Sequence, residues 1–352
     1  MEGVMPKIGF EQVIGQRLAV SHLQNAVRTG RVSQAYLISG EKGAGKMKLA
    51  LAFAAALLCA QPKQENGGPE PCGECHSCVQ IQAGSHPDVV LLTNERAGAA
   101  TKTGTLGVAL ARFVQADVSV KPYYGPYKIY IIPNAENLNQ QAQNALLKTL
   151  EEPPENVMFI LATTEPQKLP ATILSRCMRL DFKRVPQNIL MEGMRQICID
   201  KGVEITESAL KLLANCADGS VRDGLSILDQ VLASGEKTVD RDNVLEYVGA
   251  AGEDFFIDLT ELVSLKKVAE ALVLLDGVLA DGKDVKQLMK DWTAHYRNLM
   301  ITKFIKNPED ILNMSTENIR RVQEQSMHIS LDEINDAIIR LSKTINDARW
   351  ST

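Results

Sequence analysis

The sequence predicts an α/β fold, a parallel sheet covered by helices, followed by an all-helical remainder. Three observations carry that expectation. Short apolar or β-branched runs alternate with helical patterns through residues 35–164, as repeated strand–helix–strand units require. The first run passes through a glycine-rich turn into an apolar helix, the context of a phosphate-binding loop. Beyond Arg184 the strand runs fade and apolar residues recur at helical spacing.

Size and composition bound the reading. At 352 residues the chain has room for two or three domains, each with its own core. Apolar content of 45% and charged content of 23% are those of a soluble globular protein. A net charge of −5 argues against holding nucleic acid by bulk charge alone. No run approaches the ~20 apolar residues of a membrane span, and Met1 to Phe10 lacks a secretory signal's apolar centre. Seven cysteines, an odd number, do not suggest a disulfide framework. A cytoplasmic chain with no membrane partner is expected.

In chain order, Leu18, Val20, Leu23, Ala26 and Val27 mark a helix ahead of the strand Ala35–Ser39. The glycine loop and its helix, to Leu58, follow. A polar, breaker-rich insert covers Gln61 to Pro71, and Asp88–Leu92 reads as a strand. Thr93 to Thr105, rich in Gly, Ala and Thr, reads as a mobile surface loop. A helix from about Leu106 to Ala116 precedes a Pro/Gly/Tyr turn at Pro122–Tyr127. Lys128–Ile132 and Val157–Leu161 have the length and composition of buried strands. Between them Asn139–Glu151 is a helix stopped by Pro153-Pro154. Three or four short helices are expected from Pro186 to about Gly249. The last helix carries a stripe of Leu331, Ile334, Ile338, Leu341 and Ile345, suited to packing on other helices. Domain borders are expected near residues 183 and 251.

Gly40 to Met47 reads Gly-Glu-Lys-Gly-Ala-Gly-Lys-Met. Gly40, Gly43 and Gly45 let the backbone curl so that its N–H groups converge, and Lys46 can reach terminal phosphates. The next position should carry a hydroxyl for magnesium and holds Met47, whose thioether does not suit a hard cation. Nucleotide binding is the favoured reading, and a glycine-rich turn without a ligand is the plain alternative.

Hydrolysis also needs a strand ending in carboxylates, one for the metal and one for the attacking water. Lys128–Ile132 runs instead into Pro133-Asn134-Ala135-Glu136. Pro133 and Asn134 stand where the acids belong. Glu136 comes two or three residues late, which suits a solvated turn. Two losses at one ion predict a site that does not turn over.

Cys72, Cys75 and Cys78 are spaced by two residues each, with twelve residues between Cys59 and the first. That spacing suits tetrahedral, structural zinc, with no position open for catalysis. His76 is an alternative fourth ligand should Cys59 stay within its helix. Cys177, Cys198 and Cys216 read as scattered buried thiols.

Two segments carry a family resemblance. Asn144-Ala-Leu-Leu-Lys-Thr-Leu-Glu-Glu-Pro-Pro154 and Leu161-Ala-Thr-Thr-Glu-Pro-Gln-Lys-Leu-Pro-Ala-Thr-Ile-Leu-Ser-Arg-Cys177 resemble the signature of the AAA+ clamp-loader subunits of bacterial DNA polymerase III. The interrupted four-cysteine module matches too, although the family's first gap is usually shorter. The resemblance covers nearly all of residues 10–230. It implies an α/β AAA+ module with a P-loop and zinc-binding insert (1–183, module 59–78), a small all-α lid (184–251) and an all-α collar (252–352). It also implies a hetero-pentamer with gamma/tau and delta subunits that opens a sliding clamp on primed DNA. Met47, Pro133, Asn134 and the short tail are similar to the delta-prime subunit, which does not hydrolyse ATP. Lys46, Thr163, Thr164 and Arg222, in a motif like the motor's second sensor, would serve ATP or ADP bound without turnover. Arg176, within Ser175-Arg176-Cys177, is similar to the family's arginine finger, which acts on a neighbouring site. Pairing with Asp181 of its own sheet is the structural alternative for Arg176. An active gamma-type motor and a nucleotide-free scaffold are the competing functional readings.

Overall fold

The computed structural model describes residues 8–65, 68–93, 108–248, 253–280, 285–308, 311–312, 314 and 316–347. The chain divides into two compact units, Met1–Ile197 with Ala214–Ser226, and Cys198–Leu213 with Ile227–Thr352. The first unit begins with α1 (Arg17–Thr29), β1 (Ala35–Ser39) and α2 (Lys46–Leu58). A small hairpin follows, β2 (Lys63–Glu65) and β3 (Gly68–Glu70), then α3 (His76–Gln82) and β4 (Val89–Leu91). Next come α4 (Val108–Asp117), β5 (Lys128–Ile132), α5 (Gln140–Glu151), β6 (Val157–Thr163), α6 (Ala171–Leu174) and β7 (Met178–Asp181).

The main sheet is parallel throughout, in the order β4-β5-β6-β1-β7. The inner strands β5, β6 and β1 bury both faces, as parallel strands between helices do. Side chains alternate, so Tyr36, Ile38, Ile129, Ile131 and Ile160 pack with Leu49, Phe53 and Ala56 of α2. The intervening Leu37, Tyr130, Ile132, Phe159 and Leu161 pack with Ala142, Leu146 and Leu150 of α5. Rings lock both layers. Tyr36 meets Phe53 edge-on at 5.0 Å, and Tyr130 stacks on Phe159 at 5.3 Å. Asn139 caps α5 by accepting from the Ala142 N–H at 2.8 Å. Buried Asp88 accepts from the N–H groups of Tyr123 and Tyr124, which fixes the turn expected there.

Periodicity did not predict every strand. The polar insert contains the β2–β3 hairpin, and β7 adds an edge to the sheet beside β1. Only Leu180 of β7 is buried, so the segment carries no alternating signal. The mobile loop expected from Thr93 to Thr105 lies outside the described residues, apart from Thr93 itself.

The sheet places β1 between β6 and β7, with Ser39 level with Thr163 and Asp181. Ser39 donates a short hydrogen bond to Asp181, and Gly40 N–H donates to Thr163 O at 3.2 Å. Ligands of open parallel sheets gather at these carboxyl ends.

The remaining described chain is helical but for one two-residue strand pair. It runs through α7 (Gln187–Asp200), β8 (Glu204–Ile205), α8 (Glu207–Ala217), α9 (Val221–Leu232), β9 (Thr238–Val239) and α10 (Arg241–Val248). The last five helices are α11 (Glu253–Ser264), α12 (Val268–Ala280), α13 (Val285–Phe304), α14 (Thr316–His328) and α15 (Leu331–Asp347). Tyr296, Leu299, Val322 and Ile334 form a core among them, with Ile338 and Leu341 packed alongside. Leu331, at the head of the expected stripe, is 42% exposed. Among the described residues no helix is long and apolar enough to cross a membrane.

Candidate functional site

The turn between β1 and α2 is shaped by residues that only glycine can replace. Gly43 has φ +84°, and a Cβ there would collide with the Ser220 hydroxyl. At Gly40 a Cβ would lie 2.6 Å from that of Phe182. Gly45, at φ +93°, is the N-cap from which α2 starts. Arg222 N–H donates to Gly43 O at 3.1 Å, bringing the start of α9 against the loop. The Arg222 side chain is exposed.

Lys46 is 9% exposed, and its Nζ donates to Gly40 O and Glu41 O, both at 2.7 Å. The loop thus closes on its own lysine. Burial lowers the pKa of Lys46, and the nearby charge of Glu136 opposes that shift. Met47 packs, half-buried, against the α2-side core.

Thr163 and Thr164 end β6 beside the loop. Thr163 is fully buried, and its Oγ1 accepts from Glu165 N–H at 3.0 Å. Thr164 Oγ1 donates to Glu136 Oε1 at 2.9 Å. Glu136 is therefore not the solvated turn residue expected from its position. The 3-10 turn Ala135–Asn137, anchored by buried Ala135 and Leu138, folds it back, half-buried, toward β6. Burial alone would raise its pKa. Hydrogen bonding by its own backbone N–H and by Thr163 and Thr164 outweighs that and holds the carboxyl below its ordinary value. Pro133 and Asn134 bring no carboxylate to the end of β5, and Asn134 is exposed.

A cavity of about 480 Å³ opens at the mouth of the loop, lined by Glu41, Lys42, Thr164, Arg184, Asp218 and Ser220. Arg184 spans it, with Nε 3.0 Å from Glu41 Oε1 and Nη1 3.0 Å from Asp218 Oδ2. Sequence reasoning missed Arg184, Asp218 and Ser220, since no motif spacing links them to the loop. The structure thus gathers Gly40, Gly43, Gly45, Lys46, Thr163, Thr164 and the Arg222 backbone, and leaves out the Met47 side chain.

Arg176 follows α6 at the surface. Its Nη1 donates to Thr172 O at 2.9 Å and its Nη2 pairs with Glu151 Oε1 at 3.1 Å. The intramolecular partner is therefore Glu151 rather than Asp181, which bonds Ser39 and lies 3.6 Å from Arg179.

The four sulfurs of Cys59, Cys72, Cys75 and Cys78 lie within 4.8 Å of one another. Cys59 leaves the end of α2 with extended backbone to join them. Tetrahedral zinc, about 2.3 Å from each sulfur, sets its ligands about 3.8 Å apart. The Cys75–Cys59 and Cys72–Cys78 pairs stand at 3.9 and 4.0 Å. All four are free thiols. Cys72 N–H donates to Cys59 Sγ and Cys75 N–H to Cys72 Sγ, at 3.3 and 3.2 Å, which fixes where these sulfurs sit. His76 packs edge-on against Tyr124 at 5.4 Å and is not part of the cluster. The donor set fits a tetrahedral thiophilic ion.

Three family models tile the chain. The model described as DNA polymerase III, delta subunit, matches residues 15–186. The clamp-loader subunit ATPase lid domain matches 190–237, and domain III of subunits gamma and tau matches 239–352. DNA polymerase III subunit tau of Bacillus subtilis is 36% identical over 97% of this chain and 58% of its own length. Subunit tau of Escherichia coli is 36% identical over 80% of this chain and 42% of its own length. The chain thus spans about two-fifths to three-fifths of these tau proteins. Subunit gamma of Buchnera aphidicola is 32% identical over 80% of this chain and 74% of its own length. With coverage of that extent over sheet, helices and loop, the chain belongs to the gamma/tau-type family of DNA polymerase III clamp-loader subunits.

Proposed function

We propose that this chain is a cytoplasmic, delta-prime-type clamp-loader subunit, a wall of a hetero-pentameric ring that binds nucleotide without hydrolysing it. The observation that carries the reading is the composition of the loop site. Met47, half-buried against the core, stands where a metal-binding hydroxyl belongs, and Pro133 and Asn134 follow the strand where two acids belong. The loop, Lys46, Thr163, Thr164 and Arg222 remain able to hold phosphates. In this reading the ring contains gamma/tau and delta subunits and places a sliding clamp on primed DNA. Arg176 then serves a neighbouring ATP site. The three-part organisation, with borders near 183 and 251, and one structural zinc on Cys59, Cys72, Cys75 and Cys78 belong to the same proposal. A second reading, an active gamma-type motor, is favoured by the gamma and tau names of the matching relatives.

Reconstitution separates the two. A ring assembled with motor and delta subunits is expected to lose clamp loading when this chain is omitted. Lys46→Ala in this chain is expected to leave the loading rate within about twofold, because a site without turnover has no transferring phosphate to stabilise. A loss of about tenfold or more from Lys46→Ala in an intact ring supports the motor.

A further inference from the structure

Met47, Pro133 and Asn134 offer neither the hydroxyl nor the carboxylates that hold magnesium beside phosphates. Phosphate charge at this loop must then be met by side-chain cations. Lys46 answers only part of that demand, because two of its three N–H donors go to Gly40 O and Glu41 O. The cavity at the loop mouth adds two cations, Lys42 and Arg184, set against the carboxylates of Glu41, Asp218 and Asp223.

Of the two, Arg184 has a position that the fold builds. Val185 N–H donates to Gly219 O at 3.2 Å, and a Cβ on Gly219 would lie 3.1 Å from that of Arg184. Ser220 and the Arg222 N–H in turn abut Gly43. The loop, the exit of β7 and the turn before α9 are thus fastened together, within one compact unit, around the root of Arg184. Its guanidinium bridges two acids across the opening, Glu41 through Nε and Asp218 through Nη1, each at 3.0 Å. The side chains of Arg184, Glu41 and Asp218 are 57%, 64% and 82% exposed, so water screens both pairs and they hold the arginine weakly. A phosphate offers the same planar fork two oxygens and more charge, in the bidentate geometry that arginine favours.

Resting on the nucleotide-binding reading above, we propose that Arg184 is a phosphate-binding residue of this site, held between Glu41 and Asp218 until a nucleotide's polyphosphate takes the guanidinium from them. Phosphate recognition then rests on Arg184 and Lys46 and gains nothing from a divalent metal. Glu41 and Asp218 compete with the ligand for Arg184 and lower its affinity. The inference adds to the function a residue on which phosphate binding depends and two acids that oppose it.

The test is calorimetric titration of the purified full chain with ATP, in chelator and in magnesium, for the unaltered protein, Arg184→Ala and Asp218→Asn. Asparagine keeps the size of Asp218 and accepts its left-handed φ of +44°, and unchanged melting midpoints exclude misfolding. In chelator, Arg184→Ala is expected to weaken ATP binding by about tenfold or more, the loss of a charged hydrogen-bonding partner. Asp218→Asn is expected to tighten it by about threefold or more, since it removes a repelling charge and frees the guanidinium. Magnesium is expected to bring the unaltered chain no tightening. An Arg184→Ala protein that binds ATP as the unaltered chain does overturns the inference. So does weaker binding by Asp218→Asn, since the ion pairs would then only hold the mouth in shape, and so does tightening of the unaltered chain by magnesium of about tenfold. If the unaltered chain binds no ATP in either medium, the nucleotide reading itself fails and the inference with it.

Discussion

Arg176→Ala in an assembled clamp loader is expected to lower hydrolysis at the adjoining ATP site by about 10³–10⁵-fold, the range of trans-acting arginines in other phosphoryl-transfer proteins. The expectation starts from the side chain's setting. Arg176 sits at the surface, and its partner Glu151 is 51% exposed. Exposed pairs of this kind contribute about 0–1 kcal/mol, so a phosphate on a neighbour can draw the guanidinium away at little cost. Its planar fork holds two phosphate oxygens and never loses its proton. Glu151→Ala provides the control. A merely structural role for the pair requires both substitutions to act alike, whereas a trans-acting role requires Glu151→Ala to leave hydrolysis nearly intact. Gel filtration must show a complete ring in each case. Undiminished hydrolysis with Arg176→Ala in such a ring rules the role out.

The zinc module carries the other large expected effect. Protein purified without added metal should hold one zinc per chain by elemental analysis. Cys78→Ser is expected to abolish that zinc and to speed hydrogen exchange across residues 59–82 by on the order of 10³-fold, since a structural zinc contributes its binding energy to local folding. Cys78 is fully buried within α3, which runs from His76 to Gln82. The β1–β6–β7 core takes only Ile81 from this segment and is otherwise built mainly from the sheet, α2 and α5, so it should keep its protection. A stable, native exchange pattern in zinc-free protein contradicts the assignment.

Much of this architecture was legible because strong local signals coincide with tertiary burial. β1, β5 and β6 are apolar runs buried along their whole length, and Asn139 and the two prolines fix the ends of α5. The cysteine spacing anticipated a cluster that the folded chain does assemble. What escaped had no local signal. β7 buries one residue in four, and the β2–β3 hairpin is short, polar and contains Pro69. Glu136 was misread because the direction of a side chain in an irregular turn is set by what anchors the turn, here Ala135 and Leu138 in the core. Arg184 reaches Glu41 from 143 residues away and Asp218 from 34, separations that no motif spans.

The most direct test of the account is phosphate release by the purified, unaltered chain with magnesium and ATP, measured beside Lys46→Ala and Met47→Thr. The account predicts no release above the Lys46→Ala background for either the unaltered chain or Met47→Thr, because restoring one hydroxyl leaves Pro133 and Asn134 without a base for the water. Turnover by the unaltered chain that disappears with Lys46→Ala would contradict it and identify the chain as a motor.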